Sequence, residues 1–370
     1  MGFPSLEPRR TIAIDMTAAT VSEARRDIHR LCHSGLDWVA LSEQAGKLIR
    51  GVVPHERVCW HPTDPATFLV TGSYVENLVS EGLPPLSWCE YAVEDVNKWS
   101  FLARSPWPVG ILSRATRGHP EQSTRFRELL RPLGVGWELR ASFVTDSACW
   151  GATAICRNRD EPDFSDEEAA FLAGISSTLA EGFRRALLIN SVVTERDADG
   201  PGLVLLDDEN NITSITPAAE RWLDELVNLG NPSEGRHPVA LAAVADRARA
   251  IAGGDEPSAA VARARAHTRR GSWLVLHGTE LSGAAEGQTA VIIEPARPAE
   301  IAPLIVQAYG LSGRERDVTQ LVLQGLSTKE IADRLCISVH TVQDHLKTIF
   351  DKVDVHSRRE LVSRVASDHF

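Results

Sequence analysis

Long apolar runs are missing from this sequence of 370 residues. A membrane helix needs roughly 20 consecutive apolar residues, and no segment approaches that length. The opening segment, MGFPSLEPRRTIAID, also lacks the apolar core of a secretory signal. We therefore expect a cytoplasmic protein with no membrane partner. Two to four domains are expected, because single hydrophobic cores rarely grow beyond about 250–300 residues.

Closely spaced cysteines are missing too. No CxxC pair occurs among the six cysteines, which are Cys32, Cys59, Cys89, Cys149, Cys156 and Cys336. This spacing is typical of neither a disulfide framework nor a zinc finger. We read them as buried thiols outside any disulfide and predict no metal site. The alternative is a redox-sensing regulator that uses Cys59, Cys89 and Cys149.

Catalytic signatures are absent as well. The sequence contains neither GxxxxGK nor GxSxG, and a string that begins like HExxH at His55 ends in Cys59 instead of a second histidine. The run LVLLDDEN looks like the start of a phosphoacceptor receiver domain. That chemistry needs a lysine to stabilise the phosphoryl charge, and none lies between Lys98 and Lys329. We predict no catalytic residue and no cofactor.

Positive charge is scarce but unevenly distributed. The chain has 39 Lys and Arg against 50 Asp and Glu, a net charge of −11. From Leu311 to Phe370, nine basic residues face nine acidic ones, so the preceding residues carry all of the net negative charge. Three of the five lysines, Lys329, Lys347 and Lys352, fall in this last segment. This distribution favours an acidic body joined to a small DNA-binding module.

Capping signals predict four short helices in the last segment. Ser338 caps one helix alone, and Gly325 ends the first helix in a left-handed conformation. Three further serines begin capping boxes, in which a hydroxyl and a carboxylate each accept one backbone N–H: Ser312 with Glu315, Ser327 with Glu330, and Ser357 with Glu360. Short helices joined by turns of three or four residues describe a helix-turn-helix.

The third of these helices has one apolar and one polar face. Its apolar positions recur at helical spacing: Val342, Leu346, Ile349, Phe350 and Val353. Its polar positions are His340, Gln343, Asp344 and Lys347. In the major groove, Gln pairs with adenine, Lys reaches guanine and Asp accepts from cytosine. The alternative that polarity leaves open is a solvated face on a small helical bundle.

The segments LSGRERDV, GLSTKEIADRL and ISVHTVQDHLKTIFDKV closely resemble the LuxR-type (NarL/FixJ-like) helix-turn-helix over about 60 residues. The resemblance implies that the helix at 338–353 enters the major groove of double-stranded promoter DNA. It also implies that the final helix serves in dimerisation, so a homodimer is expected. Carried over by position, the DNA-binding residues are Lys329, Ser338, His340, Thr341, Gln343, Asp344, Lys347 and Lys352.

Within this set, the resemblance divides the contacts into two kinds. Toward the bases it places Gln343, Asp344 and Lys347. Near phosphate it places Lys329, Thr341 and Lys352. The family usually has Lys or Arg directly after the Thr-Val pair, whereas this chain has Gln343 followed by Asp344. We expect lower nonspecific affinity from this departure, because phosphate neutralisation dominates generic binding.

The first half of the chain alternates helical and strand-like segments. A helix is expected from about 20 to 49, then the strands ERVCWH and TFLVTG around the turn TDPA, then the strands WELRASFV and ACWGATAICR. Ser165 and Glu168 open a helix at 166–190. This arrangement, with LRPLGVGWELRASF and DFSDEEAAFL, resembles a GAF domain. That resemblance implies a small-molecule sensor or a dimerisation platform.

Tryptophans mark one candidate ligand site in this half. Trp60, Trp88 and Trp107 lie in segments that a GAF fold could place over its sheet, where they would line an apolar pocket. The alternative is that these rings are large core residues holding irregular loops together.

Residues 198–296 form a second unit. LVLLDDENNITSI predicts strand, turn and strand, TPAAERWLDEL a helix with Pro217 in its first turn, and GSWLVLHG and TAVIIEP two later strands. The order resembles a PAS domain, with the likeness mainly in LDDENNITSITPAAE. Where PAS domains often have Asn before the Pro-Ala-Ala run, this chain has Thr216. Prolines then stiffen the connection to the last segment, which we expect to transmit movement.

We therefore predict a multidomain α+β protein. Its parts are a GAF-like antiparallel-sheet domain at 20–190, a small PAS-like α+β unit at 198–296, a linker at 297–310 and an all-α four-helix helix-turn-helix domain at 311–370. The predicted function is a dimeric, DNA-binding transcription regulator, no enzyme, that responds to a small-molecule effector or a partner and has RNA polymerase as a further candidate partner. The alternative is an interaction scaffold that holds no small molecule.

Overall fold

Strands between Arg57 and Pro295, paired mainly antiparallel, form two sheets, and in the described residues after them helices alone form the C-terminal part. The computed structural model describes residues 18–78, 86–146, 148–189, 200–226, 228–229, 237–254, 260–283, 287–297, 300–301, 309–353 and 355–367. This architecture confirms the mixed α+β, multidomain fold class. Within these ranges, no helix is both long and apolar enough to cross a membrane.

From residue 18, where the described part of the chain begins, two helices precede the first strand, α1 (Ala18–Leu31) and α2 (Trp38–Arg50). The single helix expected over 20–49 was therefore wrong. Gly35 turns the chain at a φ of +77°, a conformation that costs glycine little. The carboxylate of Asp37 then accepts two backbone N–H groups and starts α2.

Within the described ranges, the first sheet contains six strands in the order β3-β4-β5-β1-β2-β8, where β8 is Asn228–Leu229. Its first five strands in sequence are β1 (Arg57–Pro62), β2 (Ser73–Glu76), β3 (Val109–Ile111), β4 (Val135–Thr145) and β5 (Ala148–Asn158). The long β4–β5 hairpin at its centre matches the two strands expected there. Asp146 turns this hairpin at a φ of +51°.

The expected strand TFLVTG was wrong. The segment contributes one isolated bridge between Thr63 and Val70, and β2 begins at Ser73. The physical reason is a local turn. The carboxylate of Asp64 accepts the backbone N–H of Ala66, and Phe68 adopts a φ of +62°, which interrupts extended pairing.

Helices lie on both faces of this sheet. They are α3 (Trp99–Arg104), α4 (Leu112–Ala115) and α5 (Asp166–Ile189), with π-helical turns at Trp88–Ala92 and Phe126–Leu130 and a 3-10 turn at Pro120–Gln122. Ser165 and Glu168 form the expected capping box of α5, through contacts of 3.2 and 2.8 Å. The expected last residue of α5, Asn190, lies outside the described residues. α5 packs against β4 and β5 and closes the core on that side.

As far as its residues are described, the second sheet contains five strands in the order β7-β6-β11-β10-β9. They are β6 (Gly202–Leu206), β7 (Ile212–Ile215), β9 (Arg263–His267), β10 (Trp273–Glu280) and β11 (Thr289–Pro295). The sequence predicted all of them except β9. Counted within each sheet, the first five strands of the first sheet and the five of the second both run 2-1-5-4-3, so the two units repeat one topology.

In the described part of this unit, two helices accompany the second sheet, α6 (Pro217–Glu225) and α7 (Val239–Gly253). Thr216 caps α6, since its hydroxyl accepts the N–H of Ala219, and Pro217 occupies the first turn as expected. α7 lies on the sheet along β10. Buried alanines on α7 allow this close approach.

The two sheet units are joined by backbone pairing. The short strand β8 (Asn228–Leu229), which comes from the middle of the chain, pairs in parallel with β2 of the first sheet. The guanidinium of Arg247 on α7 also lies 5.5 Å from the ring centroid of Tyr91 in the first unit. The boundary expected between 190 and 198 falls outside the described residues.

Four helices lie in the described residues of the C-terminal part: α8 (Gly313–Leu323), α9 (Thr328–Leu335), α10 (Val339–Val353) and α11 (Arg358–Ser367). The sequence predicted each of them. The linker expected at 297–310 lies largely outside the described residues, and Pro298 and Pro303 with it.

Candidate nucleic-acid interface

Capping boxes start α8 and α9, as the sequence predicts. The Ser312 hydroxyl accepts the backbone N–H of Glu315 at 3.4 Å, and the Glu315 carboxylate accepts that of Ser312 at 2.6 Å. Ser327 and Glu330 repeat this geometry at 3.4 and 2.7 Å. Hydrogen bonds from the Ser327 hydroxyl and N–H hold the pKa of Glu330 below its usual value. Both helices therefore begin at positions set by local chemistry.

The third expected capping box is only half formed. The Ser357 hydroxyl accepts the N–H of Glu360 at 3.1 Å, as predicted. The Glu360 carboxylate, however, accepts the N–H of His356 at 2.8 Å, one residue before the cap. Each group still satisfies one backbone donor at the start of α11.

A three-residue turn, Cys336 to Ser338, joins α9 to α10. Cys336 adopts a φ of +53° and ends α9. The Ser338 hydroxyl accepts the N–H of Thr341 at 3.0 Å and lies 2.8 Å from the Thr341 hydroxyl. Ser338 therefore caps α10, as expected, and fixes Val339 as its first residue.

The apolar side of α10 is buried in the domain. Val342, Leu346, Ile349 and Val353 are buried, and Phe350 is half-buried. They join one hydrophobic cluster with residues of α8 and α9, including Val318 and Ile331. We call this row of apolar side chains of α10 the seam. The seam anchors α10 to α8 and α9, and the opposite side of α10 faces outward.

The polar side of α10 is exposed. All four residues predicted to form this face are exposed: His340, Gln343, Asp344 and Lys347. The side chains of His340 and Asp344 are 84% and 68% exposed, with 3.8 Å between Nε2 and Oδ2. Lys329, near the start of α9, is exposed as well, and Thr341 is partly exposed. The structure therefore brings the predicted base-facing residues onto one open surface.

Lys352 departs from this pattern. Its Nζ lies 2.7 Å from Glu315 Oε2 and donates to the Gly310 carbonyl at 3.2 Å. Burial acts to raise the pKa of Glu315, but hydrogen bonds from Lys352 and Ser312 hold it below its usual value. The structure thus engages Lys352 inside the domain, and its contact with phosphate stays a prediction.

Sequence reasoning missed Val339, an exposed apolar residue at the start of α10. Val339 is 43% exposed, although it is a large hydrophobic residue. The signal was its position four residues before Gln343, which places both residues on one side of a helix. Val339 therefore extends the outward surface of α10 by one turn.

The three tryptophans of the expected pocket lie in different surroundings. Trp60 is fully buried, with ring centroids 5.7 Å from Phe143 and 6.3 Å from Phe183, so it is a core residue. Trp88 is half-buried and packs against a separate hydrophobic cluster. Trp107 is 50% exposed. A pocket shared by all three stays a prediction.

Trp107 lines an open cavity of about 490 Å³ at the β3 edge of the first sheet. Asn97, Gly110, Arg114 and Asp166 are among its other lining residues. Arg114 Nε lies 3.4 Å from Asp166 Oδ1, and both side chains are exposed. The cavity thus combines an aromatic ring with a cation, a carboxylate and an amide.

Buried ion pairs occupy one face of the first sheet, a feature that the sequence analysis missed. Arg125 Nη2 lies 2.8 Å from Glu138 Oε2, and Arg140 Nη2 lies 2.9 Å from Glu90 Oε2. The Arg140 guanidinium also lies 3.8 Å from the ring centroid of Trp99. The sequence did carry a sign of these pairs: Glu138 and Arg140 are charged residues two positions apart in an otherwise largely apolar strand. Residues two apart in a strand lie on the same face of the sheet.

The thiols of Cys32, Cys89 and Cys149 have little thiolate character. Burial raises the pKa of Cys32 and of Cys89 to about 12, and that of Cys149 to about 11. Because the thiolate is the reactive form, this burial disfavours the redox-sensing alternative. Five of the six are buried as predicted, but Cys336 is exposed, because it ends α9 in a surface turn.

The arrangement of α9 and α10 defines a helix-turn-helix domain, with a buried seam and an open polar face. Residues 310–365 match the family model described as bacterial regulatory proteins, luxR family. The C-terminal domain is therefore a luxR-family helix-turn-helix domain.

Curated relatives share this domain. The chain is 48% identical over 54 residues to the monoamine regulon transcriptional regulator of Klebsiella aerogenes, covering 15% of this chain and 24% of that protein. It is 39% identical over 61 residues to the transcriptional regulatory protein DesR of Bacillus subtilis (strain 168), covering 16% and 31%. Across eight such relatives, the chain spans from 6% to 35% of their length.

GAF domains are among the solved structures to which the N-terminal part is similar. One is the phycoerythrobilin-bound GAF domain of a cyanobacterial phytochrome, with 15% identity, a TM-score of 0.32, and coverage of 46% of this chain and 96% of that chain. Another is the GAF domain of a phosphoenolpyruvate-protein phosphotransferase from Coxiella burnetii, with 13% identity, a TM-score of 0.31, and coverage of 46% and 96%.

Proposed function

We propose that the protein is a transcription regulator that binds promoter DNA by laying α10 in the major groove. The observation that carries the proposal is the division of α10 into a buried apolar seam and an exposed polar face, within a domain of the luxR family. A helix anchored in this way presents its outward side chains as one rigid set, which base recognition requires.

The exposed side chains suit base edges and phosphates. Gln343 carries an amide that can pair bidentately with adenine, and Lys347 can reach the acceptors of guanine. Asp344 can accept a hydrogen bond from cytosine. Lys329, exposed on the neighbouring helix, supplies a positive charge for a phosphate. This set gives both positioning and sequence reading.

The regulator acts as a homodimer in this proposal. Two recognition helices then meet half-sites about one DNA turn, roughly 34 Å, apart. The resemblance to LuxR-type domains assigns the dimer contact to the final helix, α11. RNA polymerase is the further partner if the bound regulator activates transcription.

Sensing is the role we assign to the first two units, at 20–190 and 198–296. The cavity beside Trp107 is the place for a small-molecule effector, because an exposed ring and a nearby cation lie together there. A signal would reach the DNA-binding domain by shifting the two units relative to each other and to the connection at 297–310.

A scaffold that binds only another protein is the second candidate for these units. The buried pairs of Arg125 with Glu138 and of Arg140 with Glu90 favour the scaffold. They fill the space between β4 and the π-helical turns that cover this strand, and this filled space cannot hold a small molecule. Native mass spectrometry of the full chain separates the two roles. A retained small molecule supports the sensor, and its absence with a stable partner complex supports the scaffold.

The DNA-binding proposal is tested by selecting sites for the full-length protein from random duplexes at low salt. We expect a dyad-symmetric sequence, and we expect Gln343→Ala to change the selected bases. Lys47→Ala is the control, because it also replaces an exposed polar side chain by alanine. Lys47 lies on α2, outside the DNA-binding domain. A folded protein that binds no duplex, even at low salt, would overturn the proposal.

A further inference from the structure

One apolar side chain interrupts the polar surface of α10. Val339 is 43% exposed, and among the residues of the C-terminal domain whose side chains the structure describes it is the one large hydrophobic residue in that state. The other apolar residues of α10 are buried or half-buried in the seam. The exposed part of Val339 is apolar surface in contact with water in the unbound domain. A complex that removes this surface from water gains free energy from it.

Val339 shares a stripe with two residues that the proposed function assigns to bases. Residues four apart lie above one another on a helix, so Val339, Gln343 and Lys347 form one line along α10. Gln343 and Lys347 are exposed, and both project from the same outward surface. Whatever duplex edge receives these two side chains passes within reach of Val339, one turn nearer the start of the helix.

The position of Val339 is fixed before any ligand binds. Ser338 caps α10 through the N–H of Thr341 at 3.0 Å, so Val339 is the first helical residue. The cap therefore fixes the place of Val339 at the start of the helix, one turn before Gln343.

We infer that Val339 reads the C5-methyl group of a thymine in the half-site, next to the bases that Gln343 and Lys347 contact. This inference rests on the proposed function. In the major groove, the thymine methyl is the apolar group among hydrogen-bonding atoms, and apolar side chains recognise it by contact. The Val339 side chain has no hydrogen-bonding group, so methyl contact is the recognition available to that side chain.

The test uses the full-length protein and a duplex from the site selection described above. Each thymine of one half-site is replaced singly by deoxyuridine, which lacks only the methyl group. At one position we expect the Kd of the unaltered protein to rise about three- to fivefold, since one buried methyl is worth that much. Val339→Ala should bind the thymine duplex less tightly and lose this sensitivity to deoxyuridine.

Thr348→Ala is the matched control. Thr348 is exposed on the same helix but lies about half a turn around from Val339, and its hydroxyl donates to the Asp344 carbonyl. This variant should keep the full deoxyuridine effect. Circular dichroism should show all three proteins equally helical, because both side chains are exposed.

Two results would overturn the inference while leaving the proposed function standing. One is tight, specific binding that no thymine-to-deoxyuridine change weakens. The other is a deoxyuridine effect of the same size in Val339→Ala as in the unaltered protein. Failure to bind any duplex would instead overturn the proposed function, and the reading by Val339 with it.

Discussion

Arg265 on β9 forms a buried, two-pronged ion pair with Asp64, 201 positions earlier in the chain. Its Nη2 donates to Asp64 Oδ1 at 2.6 Å and its Nε donates to Oδ2 at 2.9 Å. The backbone N–H of Arg265 also donates to Oδ2, at 2.8 Å. Arg265 Nη1 further donates to the Glu300 carbonyl at 3.1 Å, at the start of the connection to the DNA-binding domain. The guanidinium of Arg265, a residue of the second unit, thus contacts both the first unit and the connection.

Asp64→Asn should destabilise the two sheet units by about 3–5 kcal/mol, because it leaves the Arg265 charge buried without its counter-ion. The measurement is the free energy of unfolding from urea denaturation. Glu43→Gln is the control, since Glu43 pairs with Lys47 on the exposed surface of α2 and such pairs contribute less than about 1 kcal/mol. Equal effects of the two substitutions would contradict the assigned role of the buried pair.

Lys352→Met should lower the thermal stability of the C-terminal domain, because it removes the partner of Glu315 and the donor to Gly310. The effect should be about 1 kcal/mol, since Lys352 is partly exposed. The dependence of DNA affinity on salt should stay unchanged, because the lysine is engaged within the domain. A salt slope reduced by about one would instead place Lys352 at a phosphate.

Lys347→Ala should weaken binding to the selected site by roughly 1–3 kcal/mol and relax the preference at one base pair. The reason is the exposed position of Lys347 on the base-facing stripe of α10. Affinities for the selected and the scrambled duplex give the measurement. Lys329→Ala is the comparison, and it should weaken both duplexes alike and reduce the salt slope by about one. Unaltered base preference in Lys347→Ala would count against this docking.

Acidification should destabilise the sheet units below pH 6.5. Burial lowers the pKa of His61 to about 3, and those of His55 and His267 to about 4. Between these values and about 6.5 the unfolded chain binds protons that the folded chain refuses, so the free energy of unfolding falls as pH falls. Each histidine contributes a slope of up to about 1.4 kcal/mol per pH unit.

Denaturation curves between pH 7.0 and 5.0 measure this slope. His61→Gln should reduce it, because His61 is fully buried with its Nδ1–H donated to the Gly72 carbonyl. His119→Gln, at an exposed site, is the control. A slope that His61→Gln does not change would show that His61 titrates alike in the folded and unfolded chain.

Local signals predicted the C-terminal domain closely. Ser312, Ser327 and Ser338 cap the helices that the sequence assigned to them, and Gly325 adopts a φ of +84° after α8. The seam of α10 followed from helical spacing alone. These features depend on residues within four positions of one another, so the sequence carries them directly.

Local signals failed where the chain turned without a strong pattern. The break between α1 and α2 rests on Gly35 and Asp37, inside a segment whose apolar spacing runs on as one helix. The strand after β1 begins at Ser73 because the turn at Asp64 lengthens the loop. In both cases a short polar turn outweighed the periodicity on either side.

The amino-acid order by itself determined the helix limits of the DNA-binding domain, its two-faced third helix and most strands of both sheets, because neighbouring residues decide caps and periodicity. Tertiary structure alone decided that Lys352 pairs with Glu315, that Asp64 meets Arg265, and that Trp60 is core while Trp107 is exposed. A charge is buried only where a counter-ion or a hydrogen-bonding group lies beside it, and a ring only where other side chains pack around it. For these residues the partners come from distant segments, so only the packed chain brings them together.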